Sequence, residues 1–147
     1  MNREIKFRAK RLDNGEWAYG SGVVFCDDFC FLDKNDECYI EELYTFRGNT
    51  HFIKLACIQC DDKTIGQYTG LKDKSGKEIY EGDIIGCHNP NIKHLIFFNE
   101  KQGRFMAALN GDIENYFIGV CGLDDSRWNA SKEVIGNIHD NPELLTK

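Results

Sequence analysis

The chain has 147 residues, which is enough for one ordinary domain or for two small β modules. Hydrophobic residues make up 41% of it, a proportion typical of globular proteins and not of disordered ones. The formal net charge of −6 argues against non-specific binding to the phosphates of DNA or RNA.

The compartment is predicted from the N-terminus and from the cysteines. Residues 1–8 carry charges where a signal peptide needs an apolar stretch, and no apolar run has the length of a membrane span. We therefore expect a cytoplasmic protein with no membrane association. Its seven cysteines would stay reduced there, free and mostly buried as small hydrophobic side chains.

Two strands joined by a tight turn are predicted at the start of the chain. Residues 4–12 alternate between apolar and basic side chains, which indicates a half-buried strand. Asn14 and Gly15 accept positive φ and predict a hairpin turn. Residues 16–25 then form the returning strand, with a bulge predicted at its two glycines.

The basic side chains of the first strand are predicted to lie on its outer face. They are Lys6, Arg8 and Lys10. We interpret them as a solvated face that keeps the sheet edge soluble. The alternative is a strip that contacts nucleic-acid phosphates, which the acidic charge of the whole chain disfavours.

Two internal segments allow more than one interpretation. The segment around residues 39–45 is either a strand or part of a short helix capped by Asp36. A buried strand is predicted over residues 52–58. Residues 112–121 also fit both helical and strand spacing.

Short strands and turns fill the C-terminal half. The strands are predicted at residues 83–87, 93–99, 104–109 and 134–138. Asn141 and Pro142 then begin a helical turn, with Asn141 as its cap. This pattern predicts a mainly β fold, a compact barrel or sandwich, with an α+β arrangement as the alternative.

Residues 65–86 contain five glycines and a mixed run of charges, so we tested them for chemistry. A phosphate-binding Walker loop has four residues between its glycines, whereas Gly70 and Gly76 are separated by five. A calcium loop has glycine at its sixth position, where a count from Asp73 places Glu78. We therefore predict turns that lead into a barrel strand, with no bound phosphate or metal.

Three segments together resemble one known family. They are REIKFRA at residues 3–9, QYTGLKDKSGKEIYEGDII at 67–85 and VIGNIHDNPELL at 134–145. They look like the opening strand, the central signature and the closing signature of the YopX-like family of bacteriophages and prophages.

This resemblance carries expectations about domains and function. It implies a β-hairpin-containing portion at residues 1–66, followed by a small SH3-like barrel at residues 67–147 with a C-terminal helical turn. It implies a small cytoplasmic protein of phage origin, and it supplies no catalytic residue and no cofactor.

Four aromatic residues are candidates for a ligand-binding surface. They are Trp17, Tyr19, Tyr68 and Tyr80. In SH3-like barrels, such a groove binds proline-rich or nucleic-acid ligands. Packing in the core is the alternative fate of aromatic residues on alternating strands.

The cysteines and histidines do not predict a site. Cys57 and Cys60 have zinc-ligand spacing but follow an apolar strand, so no metal is predicted and the question stays open. Cys87 adjoins His88, but a cysteine nucleophile needs a base that the fold brings near, which sequence does not show.

We expect a non-enzymatic protein-binding or adaptor module without a cofactor. Its partner is predicted to be a host or phage protein, with self-association through exposed sheet edges as a further expectation. The alternative is a nucleic-acid-binding accessory protein that uses Lys6, Arg8, Lys10 and the exposed aromatic residues.

Overall fold

In the computed structural model, the regular secondary structure of the described residues is mainly β-strand. The structure describes residues 4–26, 29–33, 40–46, 49–54, 57–114 and 132–146, with side chains at residues 4–23, 58–114 and 132–146. Most of the ambiguous segment 112–121 therefore lies outside the described residues, as does Asp36.

The described strands all pair antiparallel, and the mainly β prediction is confirmed. The strands are β1 (Phe7–Lys10), β2 (Trp17–Gly20), β3 (Val23–Cys26), β4 (Phe29–Asp33), β5 (Ile40–Phe46), β6 (Asn49–Lys54), β7 (Cys57–Asp61), β8 (Gly66–Lys72), β9 (Glu78–Tyr80), β10 (Asp83–Gly86), β11 (Lys93–Asn99), β12 (Arg104–Leu109) and β13 (Glu133–Asn137). The helical elements in the same residues are two short 3-10 helices, Asp62–Thr64 and Pro142–Leu145.

The strands form two four-stranded sheets, in the orders β2-β1-β8-β9 and β12-β11-β10-β13, together with a sheet β3-β4-β7 and a hairpin β5-β6. The chain divides into two compact units, Ile5–Gln67 and Tyr68–Lys147, the latter with Met1–Glu4. Strand β8 contributes residues to both units, because it pairs with β1 at Gly66 and Gln67 and with β9 from Tyr68 onwards.

Each unit has its own cluster of buried apolar residues. In the unit Ile5–Gln67, Ala9, Ala18 and Cys60 are buried together. Their small side chains allow close packing, and Cys60 behaves as the small hydrophobic residue that we expected of the cysteines.

The larger cluster belongs to the unit Tyr68–Lys147. Its members are Ile79, Ile85, Ile96, Phe105, Ala107 and Val134. Cross-strand register places Ile85 beside Val134 and Ile96 beside Ala107, so one face of the sheet β12-β11-β10-β13 supplies most of this core.

Two predicted strands are each divided in the structure. The returning strand predicted over residues 16–25 is β2 followed by β3, because the chain leaves its first sheet after Gly20 instead of bulging. The strand predicted over residues 52–58 is β6 followed by β7, which pair with different partners. A run of apolar residues in the sequence does not show where the chain changes from one partner strand to another.

The other strand predictions agree closely with the structure. The strand interpretation of residues 39–45 is confirmed, because β5 covers Ile40–Phe46. The predictions over residues 93–99 and 104–109 match β11 and β12. The turn at residues 73–76 is also confirmed, with Gly76 at a φ of 89°.

The C-terminal turn forms as predicted, but Asn141 does not cap it. Pro142 occupies the first turn, while Asn141 makes no side-chain cap hydrogen bond. Its Oδ1 accepts instead from the Asn137 backbone N–H at 3.4 Å. A Cβ on Gly136 would lie 2.5 Å from that same oxygen and 2.9 Å from Leu144 Cδ1. Gly136 is therefore the residue that lets the turn pack onto β13.

We predict that Gly136→Ala lowers the free energy of unfolding by about 1–3 kcal/mol, because the new methyl group displaces Asn141 and Leu144. Gly86→Ala is the matched control. Its Cβ would lie 2.9 Å from Cγ2 of Ile135, but that side chain is exposed and can shift into solvent, so the loss should be smaller. Thermal unfolding of the two variants makes the comparison, and equal losses would contradict this packing account.

Candidate functional site

The glycine-rich stretch is built around the carboxylate of Asp73. Its Oδ1 accepts the backbone N–H of Ser75 at 2.8 Å and of Lys77 at 2.9 Å, and also the Ser75 hydroxyl at 2.6 Å. Asp and Asn side chains commonly organise turns in this way. One oxygen of this carboxylate is therefore engaged entirely inside its own turn.

The second oxygen of Asp73 joins the turn to β13. Oδ2 accepts the backbone N–H of Val134 at 3.1 Å, and Lys74 N–H donates to the Lys132 carbonyl at 3.1 Å. Burial by itself would raise the pKa of Asp73, but the hydrogen bonds from Ser75, Val134 and Lys77 outweigh it and lower the pKa to about 2. Asp73 is thus an ionised structural link.

The turn around Gly82 is likewise held by hydrogen bonds to backbone groups of other segments. Gly82 adopts a φ of 84°, which favours glycine, and its N–H donates to the Ile96 carbonyl at 2.8 Å. Its own carbonyl accepts from Ile138 N–H at 2.8 Å. The buried Asp83 accepts the Tyr80 N–H at 2.8 Å. These groups hold backbone segments together, as predicted for a turn leading into a strand.

Tyr68 and Tyr80, two of the four aromatic residues predicted as a ligand surface, lie in the interior. Their side chains belong to residues only 5% and 2% exposed, and their ring centroids are 5.4 Å apart. The Tyr80 hydroxyl donates to Glu78 at 2.8 Å. The core-packing alternative therefore describes this pair.

The other two aromatic residues share a sheet face with the basic strand. The β1–β2 register places Arg8 opposite Tyr19 and Lys10 opposite Trp17, so all four side chains project to one side. The Arg8 guanidinium carbon lies 4.4 Å from the Trp17 ring centroid, and Lys10 Nζ lies 5.7 Å from it. We call Arg8, Lys10, Trp17 and Tyr19 the basic–aromatic face.

The prediction that Arg8 lies on a solvated outer face is wrong. Arg8 is only 5% exposed, and its guanidinium carbon lies within cation–π distance of the Trp17 ring. Lys6 and Lys10 are each partly exposed.

The hairpin turn sets the register that brings these residues together. Gly15 N–H donates to the Arg11 carbonyl at 3.0 Å, and Arg11 N–H donates to the Glu16 carbonyl at 2.9 Å. The Arg11 side chain pairs with Asp13 through two hydrogen bonds, and this contact lowers the pKa of Asp13. Counting outward from this turn pairs Lys10 with Trp17, a signal that was present in the sequence and missed.

The basic–aromatic face has mixed chemistry. Tyr19 is 48% exposed and is a diagonal neighbour of the partly exposed Lys10. The buried Arg8 contacts the Trp17 ring. A ligand on this face would meet a positive charge and an amphipathic ring side by side. It stays a prediction that Trp17 and Tyr19 bind a ligand. It also stays a prediction that Lys6, Arg8 and Lys10 bind phosphates.

Of the cysteine and histidine side chains that the structure describes, Cys60 and His94 are buried. Cys60 is buried, with Cys30 opposite it in the β4–β7 register, and the Cys57 side chain lies outside the described residues. Among the side chains that the structure describes, no group of three His, Cys, Asp or Glu residues is placed to hold a metal ion. His94 is buried in the sheet, where desolvation and then the charge of Lys132 lower its pKa to about 4.

Asp73→Asn is predicted to lower the free energy of unfolding by about 1–3 kcal/mol at neutral pH, because the amide replaces an ionised acceptor of four hydrogen bonds. Denaturant titration measures the loss. Asp13→Asn, which alters an exposed turn carboxylate, is the control and should change stability little. A loss no larger than the control's would show that Asp73 is not a structural link.

The lowered pKa of His94 predicts a pH dependence of stability. Because the folded state binds this proton more weakly than the unfolded state, the stabilisation is complete above about 6.5 and decreases as pH falls towards about 4. His94→Gln should therefore reduce the fall in melting temperature between neutral pH and this acidic range. His88→Gln, at an exposed histidine, should leave that fall unchanged. Identical pH profiles for both variants would contradict the assignment to His94.

No helix in the described ranges is both long and apolar enough to cross a membrane. Among curated proteins, none matches the chain in sequence. The crystal structure of protein EF1440 from Enterococcus faecalis is similar, with a TM-score of 0.56 and 28% identity, over 96% of this chain and 97% of that chain. The sequence model of the family described as YopX protein matches residues 6–146, nearly the whole chain. The chain therefore belongs to the YopX family.

Proposed function

We propose that this YopX-family chain is a phage- or prophage-encoded, cytoplasmic binding module that works as a non-enzymatic adaptor for a host or phage protein. Its most patterned segment supports this proposal indirectly. The buried carboxylates of Asp73 and Asp83 accept hydrogen bonds from the backbone. Side chains used in this way stabilise the fold and do not bind a substrate.

The observation that carries the proposal is the basic–aromatic face. Aromatic and basic residues are the types most enriched where proteins meet, because they combine a large apolar area with a polar end. Tyr19 is the exposed ring of this face, and Lys10 places a charge beside it. The Arg8 guanidinium carbon lies 4.4 Å from the centroid of the Trp17 ring on the same face.

A protein partner fits this face better than a nucleic acid. Binding a polyanion usually needs several accessible cations, each neutralising a phosphate. Arg8 is buried, Arg11 is paired with Asp13, and Lys6 and Lys10 are only partly exposed. Nucleic-acid binding is the second candidate, supported by the adjacency of Lys10 and Tyr19 on one face.

Two structural proposals accompany this function. We propose that residues 67–147 form an SH3-like barrel and that residues 1–66 form a separate β-rich portion. Short antiparallel strands in the order β12-β11-β10-β13 and a closing 3-10 helix support the barrel. Self-association through sheet edges is a further proposal, and its stoichiometry is open to measurement.

The adaptor proposal predicts that a tagged chain captures a stoichiometric protein from a phage-host cytoplasm, and that the double variant Lys10→Gln, Tyr19→Ser loses most of it. The variant removes the Lys10 charge and the exposed Tyr19 ring of the basic–aromatic face and leaves the buried Arg8 unsubstituted. Lys101→Gln, at an exposed lysine in the turn after β11, is the control. Circular dichroism checks that all chains are folded.

Two outcomes would count against this proposal. Capture that is unchanged in the double variant would place the binding surface elsewhere. Material that disappears after nuclease treatment, with no stoichiometric protein, would favour the nucleic-acid candidate.

A further inference from the structure

We infer that Cys30 and Cys60 form a redox-sensitive pair, in which hydrogen peroxide joins the two sulfur atoms by a disulfide bond between β4 and β7. This modification site lies in the unit Ile5–Gln67. It is independent of the proposed adaptor function, because it depends on the pairing of two strands and involves no partner protein.

The β4–β7 register brings the two cysteines together. It places Cys30 directly opposite Cys60. Cys26 is paired with Phe29 and Cys57 with Asp33, so Cys30 and Cys60 are the cysteines that pair with each other in the strands that the structure describes. The register therefore selects two of the seven cysteines of the chain.

The hydrogen-bonding pattern of β7 gives the separation of the two Cα atoms. Leu12 N–H donates to the Gln59 carbonyl at 3.1 Å, next to the bridge between Arg11 and Cys60. Successive residues of a strand direct their backbone groups to opposite sides, so those of Cys60 are directed towards β4. Cys30 and Cys60 thus form a hydrogen-bonded antiparallel pair, in which Cα atoms are about 5.5 Å apart. Disulfide bonds usually join Cα atoms about 4.4–6.8 Å apart, so the strands need not separate or slide.

Both cysteines take positions on the core side of their sheet. Ile58 precedes Cys60 by two positions, on the same face of β7, and packs against the buried cluster that contains Cys60. Directly opposite residues of an antiparallel pair share a face, so Cys30 takes a position on this face as well. Cys60 is a reduced thiol that is 0% exposed. Such burial keeps a large oxidant away from Cys60 and favours a small one such as hydrogen peroxide.

The chemistry is a two-step oxidation. First, the thiolate of one cysteine attacks a peroxide oxygen and the O–O bond breaks, which leaves a sulfenic acid and a hydroxide that takes up the thiol proton to become water. Then the sulfur of the other cysteine attacks the sulfenic sulfur, the S–S bond forms and a second water leaves. Two thiols are oxidised and one hydrogen peroxide is reduced to two waters. A thiol reductant reverses the link by thiol–disulfide exchange.

The link would stabilise the unit in which it forms. It closes residues 31–59 into a loop that contains the hairpin β5-β6. A cross-link of this kind removes conformational freedom from the unfolded chain and so raises stability. The reduced pair is the state expected in a reducing compartment, and the oxidised pair is the state expected after exposure to peroxide.

The test oxidises the full chain with hydrogen peroxide under native conditions. Remaining thiols are then capped with iodoacetamide in denaturant, and cross-linked peptides are mapped by mass spectrometry without reduction. The proteins are the wild type, Cys30→Ala, and the matched controls Cys26→Ala and Cys57→Ala, which keep the pair. Circular dichroism checks that each protein is folded before oxidation.

We expect a cross-link between Cys30 and Cys60 within one chain of the wild type and of both controls. Oxidation should raise the melting temperature of these three proteins by about 5 °C or more, and dithiothreitol should restore the original value. Cys30→Ala should show neither the cross-link nor the rise.

Four results would overturn the inference. They are capping of both Cys30 and Cys60 by iodoacetamide after peroxide treatment, cross-links made by Cys26 or Cys57 instead, a cross-link between Cys30 and Cys60 that forms only in denaturant, and a rise in melting temperature that persists in Cys30→Ala. The first three are read from the wild type alone, so the inference can be refuted even where a variant fails to fold.

Discussion

The hydrogen bonds of Asp73 are the constraint on which the unit Tyr68–Lys147 depends. One carboxylate oxygen closes the turn at residues 73–77, and the other holds the start of β13 through Val134. This contact brings together two segments that are 61 residues apart in sequence. In the same unit, the Gly82 carbonyl accepts the Ile138 N–H, and Gly136 leaves room for the C-terminal turn. In the central and closing signature segments, the patterned residues serve to pack and hydrogen-bond the backbone.

In the glycine-rich stretch, the ionised carboxylate of Asp73 is satisfied by hydrogen bonds from the protein. The side chains of the basic–aromatic face are arranged differently. There, a buried guanidinium stabilises an indole, and a neighbouring tyrosine and lysine reach solvent. Stability resides in the first arrangement, and recognition is proposed for the second.

Local patterns in the sequence predicted most strands and turns, because alternation and positive-φ residues act over a few positions. Strands β11 and β12 were predicted to the residue, as was the turn at Gly76. Long-range partners were not predictable in this way. Neither the change of sheet after Gly20 nor the link from Asp73 to Val134 has a local signal. The burial of Arg8 was missed because alternation treats every cation as solvated, although the hairpin register places Trp17 diagonally across from Arg8 on the same face.

The most direct test compares stability and partner capture in two variants, Asp73→Asn and Lys10→Gln, at a temperature where both are folded. The account predicts opposite effects: Asp73→Asn lowers the melting temperature and leaves capture intact, whereas Lys10→Gln weakens capture and leaves the melting temperature nearly unchanged. Loss of capture in folded Asp73→Asn, with full capture by Lys10→Gln, would contradict it and place recognition in the signature segments.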